Sequence, residues 1–506
     1  VLLRVLLAAV AGVALAGASE PLAWTWLTLP SVAVLLLCVR GLAPRTAWLP
    51  SLTFGIAFFF VLQVWMRAVG TDAWIGLSAL EAAFFVPLGL AFSVVGRSRW
   101  WPLWAAVCWV AVETVRGSWP FSGMPWGRLS YGVVDSVWAE GLPWYGFTGV
   151  SFLLALSGTV LAWLVADRPA ARVGVPVVLV LAALTITPNV LTWDPRTEGS
   201  ATVAAVQGDV PGSGDDLVAV HREVTRNHVE ATVALAADVR SGAAPALDFV
   251  LWPENSTAVD PFRDTQVNTG IERAVTAIGV PVLVGAMVDA PESHQVLNQG
   301  IVWDPRTGPG DRYTKRWPVP FGEYIPWREV VFKENLGQLR QIGRDMLSGT
   351  RPSPLVVGGI QVADAICFDV AYDEGLHTQI RNGAQLVTVQ TSNAMFIRTH
   401  QIEQQYAITR LRALETGRAV AVAATNGLTG VIDPRGRVLA EADPRTTSAV
   451  VHEVGLSSRV TPAVWLGVWP GRVAVVLAVL LTLALGPLRG RVPYARRARP
   501  IRGSQA

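Results

Sequence analysis

The sequence is poor in cysteine and in charge, and each shortage excludes something. Of its three cysteines, Cys38 and Cys108 lie inside long apolar runs. Cys367 is thus left without a plausible disulfide partner, and no two cysteines have metal-ligand spacing. Charged residues make up only 16% of the chain, against roughly 25% in a soluble globular protein. A net charge of +3, with no basic stripe interleaved with aromatics, gives no footprint for nucleic acid. Internal repeats and low-complexity tracts are also missing. What is abundant is apolar: 51% of residues are hydrophobic, and many of the 21 tryptophans stand at the edges of apolar runs. That pattern suggests anchoring at a bilayer interface. A chain of 506 residues is too long for one ordinary domain, so two or more units are expected.

Seven apolar segments, at about 2–17, 22–39, 47–66, 73–95, 100–115, 144–166 and 173–192, each approach the ~20 residues that cross a bilayer core. An eighth follows at about 464–487. Arg4 ahead of an apolar run ending in Ala-Gly-Ala-Ser also fits a cleaved signal peptide, but six further spans favour a retained first helix. Arg40 and Arg45, Arg97 and Arg99, and Arg168 and Arg172 mark alternate hinges, and six arginines from Arg489 to Arg502 fill the tail. The positive-inside rule places those ends in the cytoplasm and residues 194–460 outside. The expected division is a bundle over 1–195, an extracytoplasmic domain over 196–458, and a last helix with a basic tail over 459–506. Glu81 falls inside the fourth span, where a carboxylate is costly and is expected to be paired or functional unless it snorkels. The hinge 116–143 carries Trp119-Pro-Phe-Ser-Gly-Met-Pro-Trp-Gly-Arg128, which reads as an interfacial loop. Arg128 is its one cation suited to a phosphate headgroup.

From Ala201 the pattern changes to short apolar runs alternating with amphipathic stretches. Strands are expected at 201–207, 249–252, 281–287, 300–303, 360–367, 385–390, 419–424 and 428–432. Helical periodicity fits about 215–240, 263–278, 371–382 and 400–416. The alternation argues for an α/β layered domain with helices on both sheet faces.

In such folds chemistry collects beyond strand ends. Cys367 ends the run Val362-Ala-Asp-Ala-Ile-Cys-Phe-Asp-Val370, and Glu254 follows Phe249-Val-Leu-Trp252 across Pro253. Lys315 lies in a loop stiffened by Pro318, Pro320 and Pro326. Alone, a thiol is ordinarily inert core filler, and a lone Glu or Lys is a solvated charge. Together they suit acyl transfer through a thioester. Glu254 takes and returns the thiol proton, while Lys315 stabilises the thiolate and the oxyanion. Glu323 is placed to orient Lys315 or to serve as a second base for an acceptor amine.

Trp252-Pro-Glu254, Tyr313-Thr-Lys315, Val319-Pro-Phe-Gly-Glu-Tyr-Ile-Pro326 and Ile366-Cys-Phe-Asp369 carry a resemblance, as do Gln390-Thr-Ser-Asn393 and Arg410 through Gly427. The outer domain resembles the nitrilase (carbon-nitrogen hydrolase) superfamily with its Glu-Lys-Cys triad. The whole chain, spans included, resembles the apolipoprotein N-acyltransferase family. The resemblance implies an αββα sandwich on a multi-pass bundle of about eight helices in the bacterial plasma membrane. It implies a ping-pong reaction in which Cys367 takes an acyl chain from a glycerophospholipid and passes it to the α-amino group of an S-diacylglyceryl-cysteine at the start of an apolipoprotein. Membrane lipid and these two substrates are the implied partners, with no metal or organic cofactor. Phe368, Asp369 and Asn393 are the implied supporting residues. The family often has Tyr-Glu after the nucleophile, where Phe368-Asp369 stands here, and Gln-Gly-Asn where this chain has Gln207-Gly-Asp209. These departures bear on lipid and acceptor preference. Two other readings share part of the pattern: a membrane-tethered amidase acting on a small extracytoplasmic amide, and a non-catalytic receptor that keeps the fold.

Overall fold

The computed structural model describes residues 1–215, 220–328 and 342–486. The basic tail from Arg489 and the first residues of the helix expected at 215–240 lie largely outside them. The apolar runs form α1 (Leu2–Ala16), α2 (Thr28–Val39), α3 (Pro44–Leu62), α4 (Thr71–Ala83), α5 (Phe85–Val95), α6 (Trp101–Arg116), α7 (Leu142–Asp167) and α8 (Ala171–Val190). By length and hydropathy, Pro44–Leu62, Thr71–Val95, Ala139–Asp167 and Ala171–Val190 suffice to cross a membrane; Leu2–Ala16, Thr25–Val39 and Trp469–Leu485 are apolar but shorter. The fourth run is not one continuous helix. Pro87 has no N–H for the carbonyl of Ala83, so the helix breaks there and α5 starts at Phe85. Glycines let the helices close up: a side chain on Gly12 would strike the Phe54 carbonyl, and one on Gly158 would strike Val32.

Glu81 is paired rather than snorkelling. Its carboxylate meets the Arg116 guanidinium, and both side chains are 2% exposed. Arg116 also donates to the carbonyls of Met124 and Trp126, at 2.7 and 2.6 Å, so the buried charge shapes the aromatic loop that follows α6.

Beyond the bundle lie two sheets. The first runs β13 (Ser448–Leu456), β1 (Gly199–Gln207), β2 (Phe249–Leu251), β3 (Val282–Asp289), β4 (Gln295–Asp304) and β5 (Gly308–Thr314), with β6 (Asp345–Met346) pairing β4. The second runs β12 (Val438–Glu441), β11 (Gly430–Ile432), β10 (Val420–Ala424), β9 (Leu386–Thr391), β8 (Ile360–Ile366) and β7 (Leu355–Val357). The central strands β1–β2–β3 and β8–β9–β10 are parallel, and antiparallel strands flank them. Strands β5, β6, β7 and β13 escape the sequence reading. They are short, or are edge strands rich in exposed and polar residues, so period-2 apolar alternation is weak in them.

Alternation along the central strands builds three layers of core. Val203 and Ala205 of β1 face the second sheet, together with Val362 and Ile366 of β8. Ala204 and Val206 face α9 (His221–Ser241) and α10 (Thr265–Ile278). Ala363 and Ala365 face α11 (Asp373–Arg381) and α12 (Gln401–Thr416), whose other sides continue without a break into the apolar core of the bundle. The result is an αββα sandwich with one helical layer pressed against the bundle. A short helix α13 (Pro462–Leu466) then leads into α14 (Trp469–Leu485), which returns along α6 with Gly471 against Thr114.

Candidate active site

Strand β8 ends at Ile366, and Cys367 adopts a left-handed φ of +52° before a 3-10 turn, Cys367–Ala371. A non-glycine residue in that region is strained, and the sharp corner pushes the thiol out beyond the strand end. Asp369 pins the corner. Its Oδ1 accepts from Trp317 N at 2.8 Å, and its Oδ2 accepts from the Tyr313 hydroxyl at 2.9 Å and Arg316 N at 3.2 Å. One carboxylate thereby locks the Cys367 turn to the loop that carries Lys315. Burial raises the Asp369 pKa against the pull of Lys315 and those N–H groups.

Lys315 is fully buried, and its Nζ donates to Glu254 Oε1 at 3.2 Å and to Glu323 Oε1 at 2.6 Å. Burial opposes the ammonium, but the two carboxylates outweigh it and hold its pKa well above the ordinary lysine value. Burial raises the Glu323 pKa while Lys315 works against it. Glu254, 3% exposed, accepts further from Asn298 Nδ2 at 2.7 Å and from Ser392 N at 3.0 Å. The thiol shares this neighbourhood. Burial and then Glu254 push the Cys367 pKa up from its ordinary value, while Lys315 pulls the other way. The resting sulfur is therefore a thiol.

Of the supporting residues, Phe368 stacks on Trp126 of the bundle loop at 5.9 Å between ring centroids and meets Tyr372 edge-on at 5.3 Å. Asn393 has a left-handed φ of +55° and donates to Gln401 Oε1 at 3.1 Å and Gln405 Oε1 at 3.4 Å. Arg128, expected to suit a phosphate headgroup, is ion-paired within the protein. Its Nη1 lies 2.9 Å from both carboxylate oxygens of Asp373, and Asp373 in turn pairs with Arg412 at 2.8 Å. Burial opposes the Asp373 proton's loss, yet Arg128 and Arg412 hold its pKa well below the ordinary carboxylate value. The charge of Arg128 fastens the loop to the catalytic domain.

Asn298, Gln404 and Gln405 escape the sequence reading. Asn298 interrupts an apolar strand with a fully buried amide, which is the one signal that marks it. Gln405 Oε1 stands 4.0 Å from the Cys367 sulfur, with its Nε2 on Thr391 Oγ1 at 3.1 Å. Its neighbour Gln404 faces the bundle and takes the indole N–H of both Trp65 and Trp126, at 3.1 and 2.8 Å. Among the described residues no cluster of three or more His, Cys, Asp or Glu has metal-binding geometry.

Residues 11–160 match the family described as the apolipoprotein N-acyltransferase N-terminal domain, and residues 202–460 match carbon-nitrogen hydrolase. An apolipoprotein N-acyltransferase of Mycolicibacterium smegmatis is 34% identical over 503 residues, covering 93% of this chain and 83% of the relative. The chain belongs to the apolipoprotein N-acyltransferase family. A second member, from Pseudomonas putida, is 31% identical over 94% of this chain and 96% of its own length. A solved amidase from Nesterenkonia sp. AN1 superposes at a TM-score of 0.37 and 17% identity, covering 50% of this chain and 92% of that one. Family membership accounts for both halves of the architecture, because the two matched regions are the bundle and the αββα sandwich.

Proposed function

We propose that this chain N-acylates apolipoproteins at the outer face of a bacterial plasma membrane, drawing the acyl chain from a glycerophospholipid. Glu254, Lys315 and Cys367 are the catalytic residues, with Glu323 as their partner. In the first half-reaction the Cys367 proton passes to Glu254 and the sulfur attacks the ester carbonyl. Lys315 stabilises the oxyanion, the C–O bond breaks, and Glu254 protonates the departing lysophospholipid. In the second, the α-amino group of an S-diacylglyceryl-cysteine attacks the thioester. The C–S bond breaks, and the amine's surplus proton passes through Glu254 to the departing thiolate, which restores the thiol. Residues 1–195 and 459–506 form the membrane part, residues 196–458 form the catalytic domain outside, and the tail is cytoplasmic, as the arginine bias argues. Phe368 and Trp126 supply an apolar wall for the acyl chain beside the sulfur.

The observation that carries this reading is Lys315, fully buried and bridging Glu254 and Glu323, in one electrostatic neighbourhood with the thiol where the sandwich meets the bundle. The test is mass spectrometry of the full-length protein after incubation with phospholipid. A long-chain acyl adduct on Cys367, discharged by a diacylated lipopeptide to give a triacylated product, is expected. Full activity in a Cys367→Ala protein, or turnover of a small amide with no acyl adduct, overturns it.

A further inference from the structure

Between the two sheets, in a core otherwise built mainly of valine, alanine, leucine and isoleucine, three fully buried polar side chains meet. They are Asp364 on β8 and Thr388 and Gln390 on β9. Asp364 Oδ1 accepts from the Thr388 hydroxyl at 2.7 Å. Asp364 Oδ2 and Gln390 Oε1 have no donor among the described residues. Both oxygens point at the bare Cα of Gly300 on β4, where a Cβ would collide with each of them. Two acceptors side by side in an apolar core, with nothing to accept from, is an arrangement that native interiors avoid. One proton removes both deficits, because a carboxylic acid has an O–H to give where a carboxylate has none.

We propose that Asp364 works as a neutral carboxylic acid whose Oδ2–H donates to Gln390 Oε1, completing a clamp between the strand that carries Cys367 and the strand end that carries Glu254. The far side of the Gln390 amide supplies the rest of the clamp. Its Nε2 crosses to the other sheet and donates to the carbonyl of Trp252 at 2.6 Å, with that of Leu283 at 3.4 Å. Trp252 stands two residues before Glu254, and Asp364 stands three before Cys367 on β8. A chain of hydrogen bonds thus joins the strand end that leads to Glu254, across both sheets, to the strand that leads to Cys367. Asp364 is a positioning residue, and its effect on the reaction runs through Gln390. The inference rests on the roles given above to Glu254 and Cys367.

Burial agrees with the protonated form. It raises the Asp364 pKa to about 7; the Thr388 hydroxyl pulls down, the Asp369 carboxylate pushes up, and the Ala365 N–H pulls down. Tyr313 is the other titratable group that faces it. Because the folded value lies above the ordinary 3.8, the stabilising contribution is complete below about pH 3.8 and is lost as pH rises through about 7.

The test uses the full-length protein in detergent, with Asp364→Asn and Asp364→Leu. An Asn side chain keeps the shape and offers an N–H to Gln390, while Leu offers nothing. Three results are expected. The infrared spectrum of the parent protein at about pH 6 shows a protonated-carboxyl C=O band that is missing from the Asn variant. The thermal midpoint of the parent falls relative to that of the Asn variant between about pH 4 and about pH 7. The Asn variant acylates Cys367 within about 3-fold of the parent rate, and the Leu variant is slower by about 100-fold. Absence of the band, parallel midpoint curves, or an Asn variant as slow as the Leu variant overturns the proposal. If the Leu variant does not fold, the parent and Asn comparisons still decide it. If the parent protein takes no acyl chain at all, the reaction assigned above fails, while the band and the midpoints still test the proton on Asp364.

Discussion

Replacing Arg128 by methionine separates two uses of its charge. In the intact protein two guanidiniums, Arg128 and Arg412, face two carboxylates, Asp373 and Glu415, with His377 3.1 Å from Glu415. Removing Arg128 leaves one guanidinium for both carboxylates in a region where the side chains of Asp373 and Arg412 are 11% and 0% exposed. Breaking a buried pair from one side costs about 3–5 kcal/mol, and the slight exposure of Asp373 argues for about 3. For a unit of this size each kcal/mol moves the midpoint by about 2–4 °C, so a fall of roughly 6–12 °C is expected. The assay is tryptophan-fluorescence melting of the detergent-solubilised protein at one scan rate, beside the dependence of acylation rate on phospholipid concentration. A double variant, Arg128→Met with Asp373→Asn, is expected to recover about half of the loss, because it no longer strands a buried carboxylate. An unchanged midpoint in Arg128→Met with a raised KM for phospholipid would refute this reasoning and restore the headgroup role.

Three further outcomes are expected. Because burial and Glu254 push the Cys367 pKa up, its alkylation by iodoacetamide should climb about tenfold per unit from about pH 7 to about pH 9 without a plateau; a plateau near pH 7 contradicts a protonated resting thiol. Glu323→Gln keeps the shape but removes the charge from a 2.6 Å contact to Lys315, a loss of about 1.5–3 kcal/mol. Acyl transfer should fall about 10- to 150-fold in single-turnover assays, and a rate within twofold of the parent would deny Glu323 a part. Gln404→Leu leaves two buried indole N–H groups and the Glu20 carbonyl without their partner, at about 1–3 kcal/mol each. The melting midpoint should drop by several degrees while small electrophiles still reach Cys367, and an unchanged midpoint would show that the bridge contributes little.

The membrane runs and the central strands were legible because their signals are local. Apolar stretches of sufficient length announce a span, and period-2 runs such as Ala201–Gln207 announce a buried strand. That Glu254, Lys315 and Cys367 share one place was legible for a different reason: each ends a strand-like run or sits in a proline-stiffened loop. What escaped depends on tertiary context. Asp364 reads as one polar residue in an apolar run until Gly300 and Gln390 are seen beside it. Arg128 reads as a free cation because Asp373, its partner, lies 245 positions away. The break between α4 and α5 was in principle legible in Pro87, but the run from Thr71 to Val95 keeps a high mean hydropathy across it, and hydropathy alone does not register a missing N–H donor.

Helix α12 explains why the chemistry is bound to the bundle rather than merely tethered near it. Successive residues on a helix point about 100° apart, so adjacent positions can serve opposite neighbours. Gln405 turns to Thr391, Asn393 and the Cys367 sulfur, while Gln404 turns to Trp65, Trp126 and the carbonyl of Glu20 in the bundle. Ala407, Ile408, Leu411 and Leu414 belong to the same apolar cluster as Phe58, Trp126 and Phe147. In a free-standing sandwich this outer face of the helical layer would meet water and would be polar. Here it is buried, and Trp126 reaches past it to stack on Phe368, the residue next to Cys367. The packing around Phe368 is therefore built partly from the membrane domain, and the corner at Cys367 is held by contacts from both halves of the molecule.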